Sequence, residues 1–87
     1  MTRFGTLRKV TIRETDKAER DKMGAARQGR LRYVCVNPET GDYWTVFGMV
    51  QGGHSKAAAV FWAERLASKN GIAYEPPPGW ETIEGKL

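Results

Sequence analysis

Polar and apolar residues alternate near the start of the chain. Over residues 6–14, Val10 and Ile12 fall on one side of an extended backbone, with Lys9, Thr11 and Arg13 on the other. The pattern predicts a short amphipathic strand at a sheet edge, where basic side chains discourage strand-to-strand aggregation. Asp16 followed three residues later by Glu19 reads as a capping box and opens a predicted helix through about Gln28. Gly24 interrupts that helix. Its apolar residues (Ala18, Met23, Ala25, Ala26) are mostly small, so it has little to bury.

Leu31–Val36 alternates again, with Leu31, Tyr33 and Cys35 facing away from Arg32, Val34 and Val36. The stretch 37–42 (Asn-Pro-Glu-Thr-Gly-Asp) is a turn: Pro38 suits its second position and Gly41 can take positive φ. Asp42–Val50 then reads as one strand completing a β-hairpin. It is apolar on both sides, with Tyr43, Phe47 and Met49 opposite Trp44, Val46 and Val50. Such a strand is either central and covered twice or exposes one face to a partner.

Ser55 is a suitable N-cap for a helix running to about Asn70, and Gly71 suits its left-handed C-cap, with Ile72 as the apolar contact. At 100° per residue, Trp62, Leu66, Ala59, Ala63, Ala67 and Val60 gather on one face. Phe61 falls instead among Glu64, Arg65 and Ser68. Ile72–Glu75 suits a short last strand, and Pro76–Pro78 enforces an extended path. The predicted fold class is α+β in a single small domain. Its order is ferredoxin-like βαββαβ, or a reduced β-hairpin plus helix variant if the first helix fails. The folded body spans 6–75, and a Pro-rich tail, 76–87, folds back through Trp80 and Ile83.

Eighty-seven residues with 40% hydrophobic content and nine aromatic rings are enough for one modest core. Cys35 is the one cysteine, so no disulfide forms within the chain, and a reduced thiol suits the cytoplasm. No apolar run approaches the roughly 20 residues of a membrane span, and the chain does not open on a signal-peptide pattern. The expectation is a cytoplasmic protein with no membrane partner.

Charge changes the picture. Residues 1–36 hold ten of the fourteen Lys and Arg against four acids, a surplus of six, whereas the remainder has four basic and six acidic residues. Such asymmetry marks a face for a polyanion or an acidic protein surface. Arg27, Arg30 and Arg32 cluster with no acid between them. Gly52-Gly53-His54-Ser55-Lys56 is a flexible loop feeding a helix N-terminus, able to hold a phosphate although its spacing is not that of a P-loop. His54 has no nucleophile or orienting partner in the sequence, and Cys35 lies among apolar neighbours as an inert thiol. One Cys and one His do not make a metal set. The sequence thus predicts no enzyme, no catalytic residue, no metal and no cofactor.

Ser55–Ala63 resembles the last helix of double-stranded-RNA-binding domains: Ser55, Lys56, Ala59 and Ala63 match its pattern, while Ala57 and Val60 replace two of its lysines. In size, layout and lack of catalytic motif, the whole chain is similar to the small inhibitors that phages deploy against host machinery, among them anti-CRISPR proteins. That resemblance implies a phage or mobile-element inhibitor that blocks a host nucleic-acid-handling complex through a basic and aromatic surface. Its partner would be a host protein or nucleoprotein complex, with a homodimer as a candidate state. The alternative is a direct RNA- or DNA-binding module using the basic N-terminal face and the helix start at 52–56. The candidate binding residues are Arg27, Arg30, Arg32, His54, Ser55, Lys56, Phe61 and Arg65.

Overall fold

In the computed structural model, which describes residues 9–23 and 30–87, β1 (Lys9–Glu14) lies inside a four-stranded sheet of order β5-β2-β1-β6. The other elements are α1 (Lys17–Met23), β2 (Tyr33–Val36), β3 (Thr45–Val46), β4 (Met49–Val50), β5 (Gly52–Gly53), α2 (Lys56–Asn70) and β6 (Ala73–Tyr74). The expected strand residues 6–8 and helix residues 24–28 lie outside the described residues. β1 pairs antiparallel with β2, from Thr11 opposite Val36 to Glu14 opposite Tyr33, and parallel with β6, Lys9 opposite Ala73 and Val10 opposite Tyr74.

The edge position expected of β1 is therefore corrected: it is an interior strand. α2 returns the chain so that β6 covers the edge β2 leaves open, and the basic residues of β1 find acids instead of guarding an edge. Lys9 Nζ lies 3.7 Å from Glu75, and Arg13 pairs with Glu19. The α+β class and the single domain stand. The first helix forms, yet the sheet order is not the ferredoxin-like one, because β1 and β2 are direct neighbours where a split βαβ would place another strand between them.

The turn at 37–42 forms as its residues dictate. Asn37 Oδ1 accepts from the Glu39 N–H at 2.8 Å, Gly41 has φ +80°, and Asn37 N–H donates to the Asp42 carbonyl at 2.9 Å. Beyond it, the single strand expected over 42–50 is not there. Trp44 N–H bonds the Cys35 carbonyl, and the chain then leaves the sheet as a small hairpin, β3–β4. Gln51 N–H to the Trp44 carbonyl closes that excursion, and β5 resumes pairing with β2. The reason is the Phe47-Gly48 pair, both residues at positive φ (52° and 78°), as a two-residue type I′ turn requires.

Alternate residues of β2 serve two clusters. Cys35 joins Val10, Ile12, Trp44 and the α2 face of Ala59, Val60, Ala63, Leu66 and Ala67. Val34 and Val36 join Leu31, with Met23 and Val50 against them. Leu31 was expected beside Tyr33 and Cys35; it precedes β2 rather than continuing it, so its side chain escapes the alternation. Full burial of side chains such as Val10, Val34 and Val60 contributes about 1.5–3 kcal/mol each. That outweighs the exposed ion pairs, at about 1 kcal/mol or less apiece.

Ser55 and Gly71 cap α2 as expected: Ser55 Oγ accepts from the Ala58 N–H at 3.1 Å, and Gly71 takes φ +65°. Two contacts involve the residues after Pro78. Trp80 stands edge-on to Tyr33 at 5.3 Å, and Lys86 N–H donates to the Ala57 carbonyl at 3.0 Å.

Glu19 ties three elements together. Arg13 donates to its carboxylate twice, at 2.8 and 2.6 Å, the Tyr43 hydroxyl donates to it as well, and the Asp16 side chain caps its N–H at 2.8 Å. Hydrogen bonding from Arg13, against a smaller opposing effect of burial, lowers the Glu19 carboxyl from 4.5 to about 2. A carboxyl depressed on folding stabilises the folded chain above its unfolded pKa and loses that effect as it protonates. Glu19→Gln should therefore lower stability at neutral pH by no more than about 1 kcal/mol. In urea titrations the gap to the parent should close as pH falls from about 4.5 towards 2. A gap independent of pH would refute the role given to this contact.

Candidate functional site

The site is organised by a residue that carries no charge. Thr15, directly after β1, is 5% exposed. Its N–H donates to the Arg32 carbonyl at 2.8 Å, and its hydroxyl donates to the Leu31 carbonyl at 2.7 Å. Arg20 in turn donates from Nη1 to the Thr15 carbonyl at 2.8 Å and to its hydroxyl oxygen at 3.1 Å. One buried threonine thus holds α1 beside the segment that enters β2.

Around that clip, Arg20, Arg30, Arg32 and His54 line a hollow of about 290 Å³. Among the described residues, no acidic side chain lines it. On β1 and α1, by contrast, Lys9, Arg13 and Lys17 pair with Glu75, Glu19 and Asp21. Arg30 and Arg32 form no ion pair among the described residues. Guanidinium groups gathered without a counter-charge create a positive potential that an incoming anion relieves.

Two further hollows continue from this one. A hollow of about 510 Å³ takes in Arg30, Leu31, Gly52, His54 and Trp62. Another, of about 210 Å³, takes in Leu31, Gly52 and Trp62 again, together with Val46, Phe47 and Met49. The shared residues make one groove, cationic at one end and apolar at the other. Phe47, at the tip of the β3–β4 hairpin, is 99% exposed, with Val46 and Met49 each 41% exposed beside it.

The candidate residues read from the sequence divide accordingly. Arg30, Arg32 and His54 come together at the basic end, and Arg27 lies outside the described residues. The Gly52-Gly53 pair, read from the sequence as a flexible loop, is a short strand. It forms β5 against Tyr33 and Val34, and a Cβ on Gly53 would sit 2.7 Å from that of Ala58. Ser55 spends its hydroxyl on the helix cap, and Lys56 lies over the Trp80 ring at 5.3 Å. Phe61 is half-buried, edge-on to Trp62 at 5.1 Å, with Gly85 packed over its backbone. Arg65 is exposed on α2.

Arg20 and Phe47 were not among the candidate binding residues. Gly48 after Phe47 was a signal for a hairpin tip, whereas nothing local marks Arg20.

Burial pushes the Cys35 thiol up to about 12, so it holds its proton at neutral pH. Burial, with smaller contributions from Glu64 and Cys35, likewise pushes the Tyr74 hydroxyl up to about 12. No cluster of three or more metal-ligating side chains occurs among the described residues, and no described helix is long and apolar enough to cross a membrane.

Thr15→Val keeps the shape of the side chain but leaves the buried Leu31 carbonyl without its side-chain donor. The expected cost is about 1–3 kcal/mol in urea unfolding. Thr11→Val, which removes an exposed donor to the Glu75 carbonyl, should cost under about 1 kcal/mol. Equal effects at the two positions would deny Thr15 a special part in assembling the basic end.

No protein-family model, no curated protein and no solved structure matches this chain.

Proposed function

We propose that the chain is a nucleic-acid-binding protein that receives phosphates at the Arg20/Arg30/Arg32/His54 end of the groove. The observation that carries the reading is the convergence of these four side chains, from α1, the approach to β2 and the approach to α2, on one hollow that no acid lines among the described residues. Three of the four are arginines, whose planar fork matches phosphate oxygens in pairs. The reading uses binding alone and assigns no catalytic group.

Binding through phosphates releases counterions, so log affinity should fall linearly with log salt, by about 0.7 per neutralised phosphate on a single strand. Reversing both Arg30 and Arg32 to Glu should weaken oligonucleotide binding at least about tenfold and flatten that slope. Circular dichroism on the same samples checks that the fold persists, and fluorescence anisotropy measures the affinity. Affinity indifferent to salt, or untouched by the double reversal in a folded protein, would sink the reading.

A second reading is favoured by the exposed apolar tip at Phe47. In it, the chain is an inhibitor of the phage or mobile-element kind, anchoring on a host nucleic-acid-handling complex. A tagged pull-down in nuclease-treated lysate should then retain one such complex, and Phe47→Ala should release it. Loss of every retained protein on nuclease treatment would exclude this version.

A further inference from the structure

We propose that the groove takes single-stranded nucleic acid, its phosphates at Arg20, Arg30, Arg32 and His54 and one of its bases stacked on the Phe47 ring. The proposal rests on the nucleic-acid reading above and adds to it the strandedness of the ligand and a second point of contact.

Phe47 is where the chain works against its own stability. A phenylalanine ring that is 99% exposed returns nothing to folding. Its backbone sits at φ +52°, a left-handed conformation where Asn or Gly is the favoured residue and a side chain such as Phe adds strain. Both costs fall on one residue at the tip of a hairpin that the sheet itself does not need, since β2 resumes its pairing directly after it. Residues held against local preference in this way mark contact sites.

The same groove joins that ring to the cations through Leu31, Gly52 and Trp62. Phosphates at one end and an aromatic face at the other are the two elements that bind a single strand without regard to sequence. A duplex keeps its base faces stacked inside, so it offers phosphates to the basic end and nothing to the ring. The three arginines argue for an anionic occupant by charge complementarity, and an exposed, unsocketed aromatic argues for one that brings flat rings of its own.

The test uses the full chain and fluorescein-labelled oligothymidylate of about 12 nucleotides. It is compared with a duplex of the same length, with an abasic strand of equal charge, and with Phe47→Ala. The single strand should bind best. Phe47→Ala should weaken it by about fivefold or more, leave its salt slope unchanged, and leave duplex and abasic-strand binding as they were. Because the ring is exposed, the variant should melt like the parent.

If Phe47→Ala changes nothing while the Arg30 and Arg32 reversals weaken every oligonucleotide, the stacking proposal is overturned and the phosphate reading survives. If no oligonucleotide binds at low salt, both fall. If polyglutamate competes as well as the single strand, the groove is a site for acidic polypeptide and the proposal is overturned.

Discussion

Everything in this fold is arranged around the double pairing of β1. A six-residue strand cannot stand alone in water, and this one is hydrogen-bonded to β2 on one side and, over its first residues, to β6 on the other. Val10 is wholly buried as a result, and the Trp44 indole N–H reaches the Lys9 carbonyl at 3.1 Å. β6 reaches its place only because α2 has run back across the sheet. The helix is held close by a face of alanines and by Gly53, where any side chain would strike the first turn of the helix. Small residues here set the distance between layers, and that distance lets a thin core exclude water.

The same economy explains the charges. Most basic residues near β1 and α1 are tied to acids or to carbonyls and serve as solvated framework. Those around residues 30–32 are different because Thr15 spends its hydrogen-bonding groups on the backbone there, and Arg20 is drawn in after it. A neutral, buried side chain thus decides where positive charge accumulates. The groove that follows ends on an exposed ring, so its two ends offer distinct chemistry: charge at one, a flat apolar face at the other.

Much of the fold was legible in the chain. Caps, turns and alternation are local physics, and Asp16, Pro38, Gly41, Ser55 and Gly71 act where their own conformational preferences place them. The strand expected over 42–50 failed for a local reason that was overlooked: Gly48 permits a reversal inside a run that otherwise looks continuous. The edge position of β1 failed for a different reason. Which strands become neighbours depends on where a fifteen-residue helix delivers the chain, and no residue of β1 records that.

Of the site, Arg30, Arg32 and His54 were in view from the start as isolated candidates. Their meeting with Arg20 depends on a hydrogen bond between Thr15 and residues sixteen and seventeen positions away, and side-chain spacing says nothing about contacts at that range. Phe61 looked like the misplaced aromatic because its helical phase is polar, yet it is half-buried and edge-on to Trp62, while Phe47, read as one face of a strand, is the ring left in water. By itself, the sequence determined the elements, their caps and the surplus of positive charge, since these follow from the preferences of neighbouring residues. Only the tertiary structure decided which cations share a hollow and which ring stays exposed, because both depend on contacts between distant segments.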